Sequence, residues 1–76
     1  MKTADHWKTQ AKQLIRAEMK RRSLSYADLA NRMQEIGLTA NERTVANKIA
    51  AGGFSAAFFL QCMEAIGVKA IILSGD

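Results

Sequence analysis

The polar segment at residues 40–51 carries side chains of the kinds that read base pairs in the major groove of DNA. It lies between a capping residue and a glycine pair, which predicts a short helix. At about 100° per residue, Val45 and Ile49 point to one side of this helix and polar residues to the other. Arginine pairs with guanine, asparagine pairs with adenine, and small methyl groups contact thymine. We therefore predict base contacts from Ala40, Arg43, Thr44 and Asn47.

Positive charge is concentrated in the first part of the chain, a pattern typical of proteins that bind a polyanion. Residues 1–22 contain seven Lys or Arg and two acidic residues, whereas the whole 76-residue chain has a net charge of +4. Residues 23–54 carry three charges of each sign, and residues 55–76 sum to −1. The basic end favours a nucleic acid as partner, although a solvated helix face explains the same charges.

Contacts to the DNA backbone are expected from cations and polar groups beside the 40–51 segment. A hydroxyl, a phenol and free backbone N–H groups at the start of the preceding helix suit phosphate oxygens. Lysine and arginine side chains, most of them in the first helix, supply the positive charge. The predicted backbone contacts are Lys12, Arg16, Lys20, Arg21, Arg22, Ser25, Tyr26 and Lys48.

The first two helices are predicted from apolar spacing and from a capping pattern. Apolar residues recur at three- and four-residue steps from Trp7 to Met19, which predicts an amphipathic helix over residues 4–21. Ser25 can accept from the first turn of the next helix, and Asp28 can reach back to it. This capping box predicts the beginning of a second helix.

Two further capping patterns predict the third and fourth helices. Thr39 followed by Glu42 is a second capping box, which places the beginning of the third helix at Thr39. Ser55 is the predicted cap of the fourth helix. Phe54 precedes this cap and Phe59 lies four residues after it, a spacing typical of a hydrophobic staple.

The expected fold class is all-α, a compact domain of four or five helices with a short extended C-terminal segment. The length predicts a single domain over residues 1–76. Its core is expected over residues 7–68. The tail at 69–76, with Val68 before it, is β-branched and apolar, which favours extended backbone.

A homodimer is predicted because the last helix is apolar on nearly all sides and the tail is apolar as well. An uncovered apolar strand is an association hazard, and two-fold dimers are the commonest oligomers. The predicted interface is Phe58, Phe59, Met63, Val68, Ile71, Ile72 and Leu73. Alternatively, the tail folds back onto the face that contains Trp7 and Leu14.

The segments "LSYADLANRM", "LTANERTVANKIAAGGFS" and "FLQCMEAIG" together resemble the lambda-repressor-like, or Xre-type, helix-turn-helix domains. "KIAAGGFSAAFFLQCMEAIG" is similar to a small family of functionally uncharacterised bacterial domains assigned to that superfamily. The resemblance implies a helix-turn-helix fold and a small bacterial transcription regulator that binds double-stranded DNA sequence-specifically. The sequence departs from the superfamily at Tyr26, where glutamine is usual.

Other function classes are less well supported by the residues. Cys62 lies in an apolar helix and His6 is distant in sequence, so we expect neither an enzyme, nor a metal site, nor a cofactor. The chain lacks a membrane span and a signal peptide, so no membrane association and a cytoplasmic location are expected. The alternative is a protein-protein interaction module, antitoxin-like or an accessory subunit. RNA binding ranks third because exposed aromatic residues are scarce.

Overall fold

Each helix begins after a residue whose side chain accepts a hydrogen bond from the first turn. The computed structural model describes residues 2–73. Its helices are α1 (Ala4–Arg21), α2 (Tyr26–Glu35), α3 (Glu42–Ala51) and α4 (Ala56–Ile66). The N-caps are Thr3, Ser25, Asn41 and Ser55. The described residues contain no strand, so the all-α class predicted from the sequence is confirmed with four helices.

The capping box predicted for α2 is present. The Ser25 hydroxyl accepts from the Asp28 backbone N–H at 3.1 Å, and the Asp28 carboxylate accepts from the Ser25 N–H at 2.9 Å. These bonds lower the pKa of Asp28 below its usual range, with the backbone donor of Ser25 as the largest cause. The hydroxyl and N–H of Ser25 are thus both engaged within the cap.

The predicted beginning of α3 at Thr39 is wrong by two residues. Asn41 is the N-cap, and its Oδ1 accepts from the Thr44 N–H at 2.9 Å. Glu42 is therefore the first residue of the helix and not the reciprocal partner of a capping box. Asparagine is at least as good an N-cap as threonine, so local chemistry permits either beginning. The half-buried Leu38 packs on the core in the segment before the helix, and Asn41 itself has an extended backbone.

One apolar core joins the four helices. Its buried members are Ile15, Met19, Leu29, Ala30, Met33, Val45, Ile49, Phe58, Cys62, Met63, Ala65 and Ile66. The predicted inward direction of Val45 and Ile49 is confirmed, with exposures of 2% and 0%. Trp7 was assigned to the apolar stripe of the first helix, but it is 56% exposed.

Helices α1 and α2 each pack against both α3 and α4. The carbonyls at the end of α4 are satisfied from α2, because the Arg32 guanidinium donates to the carbonyls of Ala65 and Ile66. Phe54 stacks on Phe59 with ring centroids 6.2 Å apart, which confirms the predicted staple. Of the four helices in residues 2–73, none combines the length and apolarity needed to cross a membrane.

The described part of the tail lies along α1 and α4. Residues 68–73 form neither helix nor strand. Ile71 and Ile72 line a cavity of about 260 Å³ together with Leu14 of α1 and Met63 of α4. Residues 74–76 of the predicted tail lie outside the described residues.

Candidate nucleic-acid interface

The outward face of α3 presents polar side chains to solvent, as the sequence predicted. Arg43, Thr44 and Asn47 are exposed, while Val45 and Ile49 on the opposite side are buried. Arg43 and Asn47 are four residues apart, so they lie one above the other on the same side of the helix. The guanidinium of Arg43 and the side-chain amide of Asn47 therefore lie next to each other and are exposed, so both can form hydrogen bonds with one planar group.

Ala40, the fourth predicted base-reading residue, does not lie on this face. It precedes α3, is half-buried and packs against the core. Its carbonyl accepts a hydrogen bond from the side-chain amide of Gln34 in α2. Because the helix begins at Glu42 and not at residue 40, Ala40 belongs to the connection between α2 and α3.

A groove beside the beginning of α3 collects several of the predicted backbone-contacting residues. It has a volume of about 480 Å³, and its polar lining residues are Arg16, Lys20, Ser25, Tyr26 and Glu42. The Arg16 Nε donates to the Tyr26 hydroxyl at 3.1 Å, so α1 and α2 are linked across this groove. The N–H of Ser25, predicted to be available for phosphate, donates to Asp28 instead.

The end of α3 lies against two further cations of α1. The Lys12 ammonium donates to the Ala50 carbonyl at 3.1 Å, where a positive charge suits the C-terminal end of a helix. Lys8 lies beside the turn that follows α3 and lines a depression of about 350 Å³ with Lys48. The sequence analysis did not assign Lys8 to the DNA backbone. The signal that could have found it is the four-residue spacing of Lys8, Lys12 and Arg16 along α1.

Lys48 faces α4 from the side of α3. Its Nζ lies 5.2 Å from the centroid of the Phe58 ring, within the range of a cation–π contact. The same ammonium lowers the pKa of the nearby Cys62 thiol, but burial has the larger effect and raises that pKa to about 11. The thiol is therefore protonated at neutral pH.

Arg21 and Arg22, both predicted to contact the backbone, bind Glu18 instead. Arg21 donates to both carboxylate oxygens of Glu18, at 2.9 Å and 3.0 Å, and Arg22 donates to one of them. The hydrogen bond from Arg22 is the main cause of the lowered pKa of Glu18. Glu18 and Arg21 line the cavity beside the tail, so the structure does not bring them to the α3 face.

The predicted dimer residues fall into three groups by exposure. Phe58 and Met63 are 7% and 4% exposed, so they belong to the core and are not available to a partner. Phe59 and Val68 are half-buried against that core. The tail residues Ile71, Ile72 and Leu73 are exposed, and so is Leu60 of α4, which the sequence analysis missed.

The described residues define a small all-α domain of four capped helices, with a polar outward face on the third helix. Residues 7–71 match the family described as "Domain of unknown function (DUF6471)", and the chain belongs to this family. No curated protein matches the chain, and no solved structure matches it. The family description assigns no ligand or activity to these residues.

Proposed function

We propose that the protein binds double-stranded DNA sequence-specifically through the outward face of α3 and acts as a small transcription regulator. The observation that carries this proposal is the placement of cations at both ends of that face. Arg16 and Lys20 lie beside the beginning of α3, and Lys8 and Lys12 lie beside its end. A duplex that meets the α3 face would have its phosphates within reach of both pairs.

Base recognition is assigned to the two long polar side chains in the middle of the face. Arg43 can donate two parallel hydrogen bonds to guanine, and Asn47 can both donate to and accept from adenine. Neither residue is buried. Thr44 lies nearer to α4 than these two, at the rim of a depression that it shares with Lys48 and Gln61, and its methyl group would contact a base edge. Ala40 is left out of the proposed contacts.

Phosphate binding is assigned to the cations that share a side with α3. Lys8, Arg16 and Lys20 are exposed, and Lys12 is half-buried at the helix end. Arg21 and Arg22 are left out because Glu18 already holds both guanidinium groups. The resemblance to lambda-repressor-like domains supports the same assignment, since it implies that the second helix of the α2–α3 pair enters the major groove.

The experiment begins with selection of a binding site from random duplexes, followed by gel-shift titration at fixed salt. Arg43→Ala and Asn47→Ala should each weaken binding to the selected site by about 1–3 kcal/mol, because each removes a base contact. Arg21→Ala and Asn31→Ala are the matched controls, since both residues are exposed elsewhere in the domain. If no duplex is bound more tightly than a scrambled sequence at moderate salt, the proposed function is wrong.

The salt dependence of binding tests the phosphate contacts separately. Replacing Arg16 by Gln should reduce the slope of log affinity against log salt by about 1, whereas Arg21→Gln should leave the slope unchanged. The carboxylate of Glu42 should repel a phosphate in the groove beside α3. Glu42→Gln should therefore increase the affinity for every duplex by the same factor. Equal slopes for the two arginine variants would contradict the assignment of Arg16.

The second candidate is a protein-protein interaction module that uses the same face. The observation in its favour is the carboxylate of Glu42, which lies among the cations at the beginning of α3 and weakens their field. Salt distinguishes the two functions. Affinity for DNA falls steeply as salt rises because phosphate contacts release counterions, whereas a protein partner has no such dense array of phosphates and its affinity should fall much less.

A further inference from the structure

An exposed apolar surface, here called the C-terminal patch, lies where α4 meets the tail. Its four apolar members, with exposures of 62%, 42%, 83% and 65%, are Leu60, Ile71, Ile72 and Leu73. Leu60 and Ile71 line one shallow depression, and Ile71 and Ile72 line the neighbouring cavity against α1. Contiguous exposed apolar side chains of this kind mark sites of association.

The rim of the C-terminal patch carries charges of both signs, and the ion pair of Glu18 and Arg21 lines its cavity against α1. Glu64 and Lys69 line the same depression as Leu60 and Ile71. Within residues 2–73, the ion pairs of the structure join Arg21 and Arg22 to Glu18 and involve neither of these two residues. In a two-fold interface, residue i of one copy contacts residue j of the other, and the reverse contact forms as well. A surface whose rim carries an acid and a base outside those ion pairs is therefore complementary to itself.

From this surface we infer that the C-terminal patch binds a second copy of the chain. In the resulting two-fold dimer, Glu64 of each copy pairs with Lys69 of the other, around a centre formed by the exposed apolar side chains. The inference goes beyond the proposed DNA binding and does not depend on it.

The charge distribution of the chain favours this face over the basic face of α1 for self-association. The chain has a net charge of +4, and residues 1–22 alone carry seven basic and two acidic residues. Two copies that met through α1 would bring these cations together, and like charges that meet across an interface weaken it. Residues 55–76 contain one lysine and two acidic residues, so here two copies meet without that repulsion.

The geometry of α1 keeps the dimer separate from the α3 face. Leu14 and Ala17 line the cavity beside the tail, whereas Arg16 lines the groove beside α3. Arg16 lies two residues after Leu14, which places it about 200° further around the helix. The C-terminal patch and the cations beside α3 therefore lie on opposite sides of α1. A dimer would leave both α3 faces open.

The experiment measures the mass of the full chain by sedimentation equilibrium over a range of protein concentrations, without DNA. The parent chain should change from monomer to dimer as concentration rises, and Ile72→Ser should raise the dissociation constant at least about ten-fold. Ile36→Ser is the matched control, because Ile36 is also exposed, at 47%, but lies at the end of α2. Circular dichroism verifies that each variant retains its helices.

Charge reversal provides the test that is specific to the proposed pairing. Glu64→Lys and Lys69→Glu should each weaken the dimer, because each places like charges opposite one another. The variant with both changes should restore the parent dissociation constant. A monomer mass at every concentration up to the solubility limit would overturn the inference. So would an equal effect of the Ile36 and Ile72 changes, or a double reversal that fails to restore the dimer.

Discussion

Replacing Gly52 by alanine should destabilise the protein more than the same change at any other helix end of the chain. Gly52 follows α3 with a φ of +75°, in the left-handed region where glycine is favoured. A Cβ atom at this position would lie 2.8 Å from the carbonyl oxygen of Lys8 and 3.1 Å from its Cβ. Both atoms belong to α1 and neither is the end of a flexible side chain, so the helices themselves must shift.

The magnitude follows from adding the backbone cost to the contact cost. Left-handed backbone costs an L-residue about 1–2 kcal/mol, and forcing extra volume into a packed contact costs about 1–3 kcal/mol. The reduced freedom of the unfolded chain returns about 0.4–1 kcal/mol. At the middle of each range, the net loss for Gly52→Ala is therefore about 3 kcal/mol. For a chain of this length it lowers the Tm by about 10–25 °C.

Gly67→Ala is the matched control, because Gly67 has a φ of +95° but no atom within 4 Å of the added Cβ. It should lose only the backbone part, about 1 kcal/mol. Urea unfolding followed by circular dichroism gives both values. If the two variants lose the same stability, the close approach of α3 to Lys8 is absent in solution, and so is the placement of Lys8 and Lys12 beside the end of α3.

Two further predictions concern titratable groups. Folding lowers the pKa of Asp28 and of Glu18 from their ordinary values of 3.8 and 4.5. Their contribution to stability is therefore full above those values and is lost as the pH falls through the lower, folded-state pKa values. Thermal unfolding from pH 7 to pH 2 should show this loss, and Asp28→Asn should show less of it. Burial raises the pKa of the Cys62 thiol to about 11. A thiol reagent at pH 8 should therefore modify the folded chain far more slowly than the chain in urea. Equal rates would contradict the buried position of Cys62.

The sequence by itself determined the all-α class, two of the four N-caps and which side of α3 faces solvent. These features depend on interactions between residues three or four apart, such as the bond between the Ser25 cap and Asp28. Because a helix repeats about every four residues, Val45 and Ile49 lie on its buried side and Arg43 and Asn47 lie on its exposed side. Local hydrogen bonds and helical periodicity can be predicted from a single sequence because they depend on neighbouring residues and not on the rest of the fold.

The tertiary structure alone decided which apolar residues of α4 are covered and which carbonyls Lys12 and Arg32 bind. A helix that is apolar on nearly all sides has no polar face to show its orientation, so Phe58 and Met63 could not be told apart from the exposed Leu60. The pairing of Lys12 with the Ala50 carbonyl joins residues 38 positions apart, and such a contact has no local pattern. The beginning of α3 was decided in the same way, because Thr39 and Asn41 are both acceptable caps until the packing of the preceding segment selects one of them.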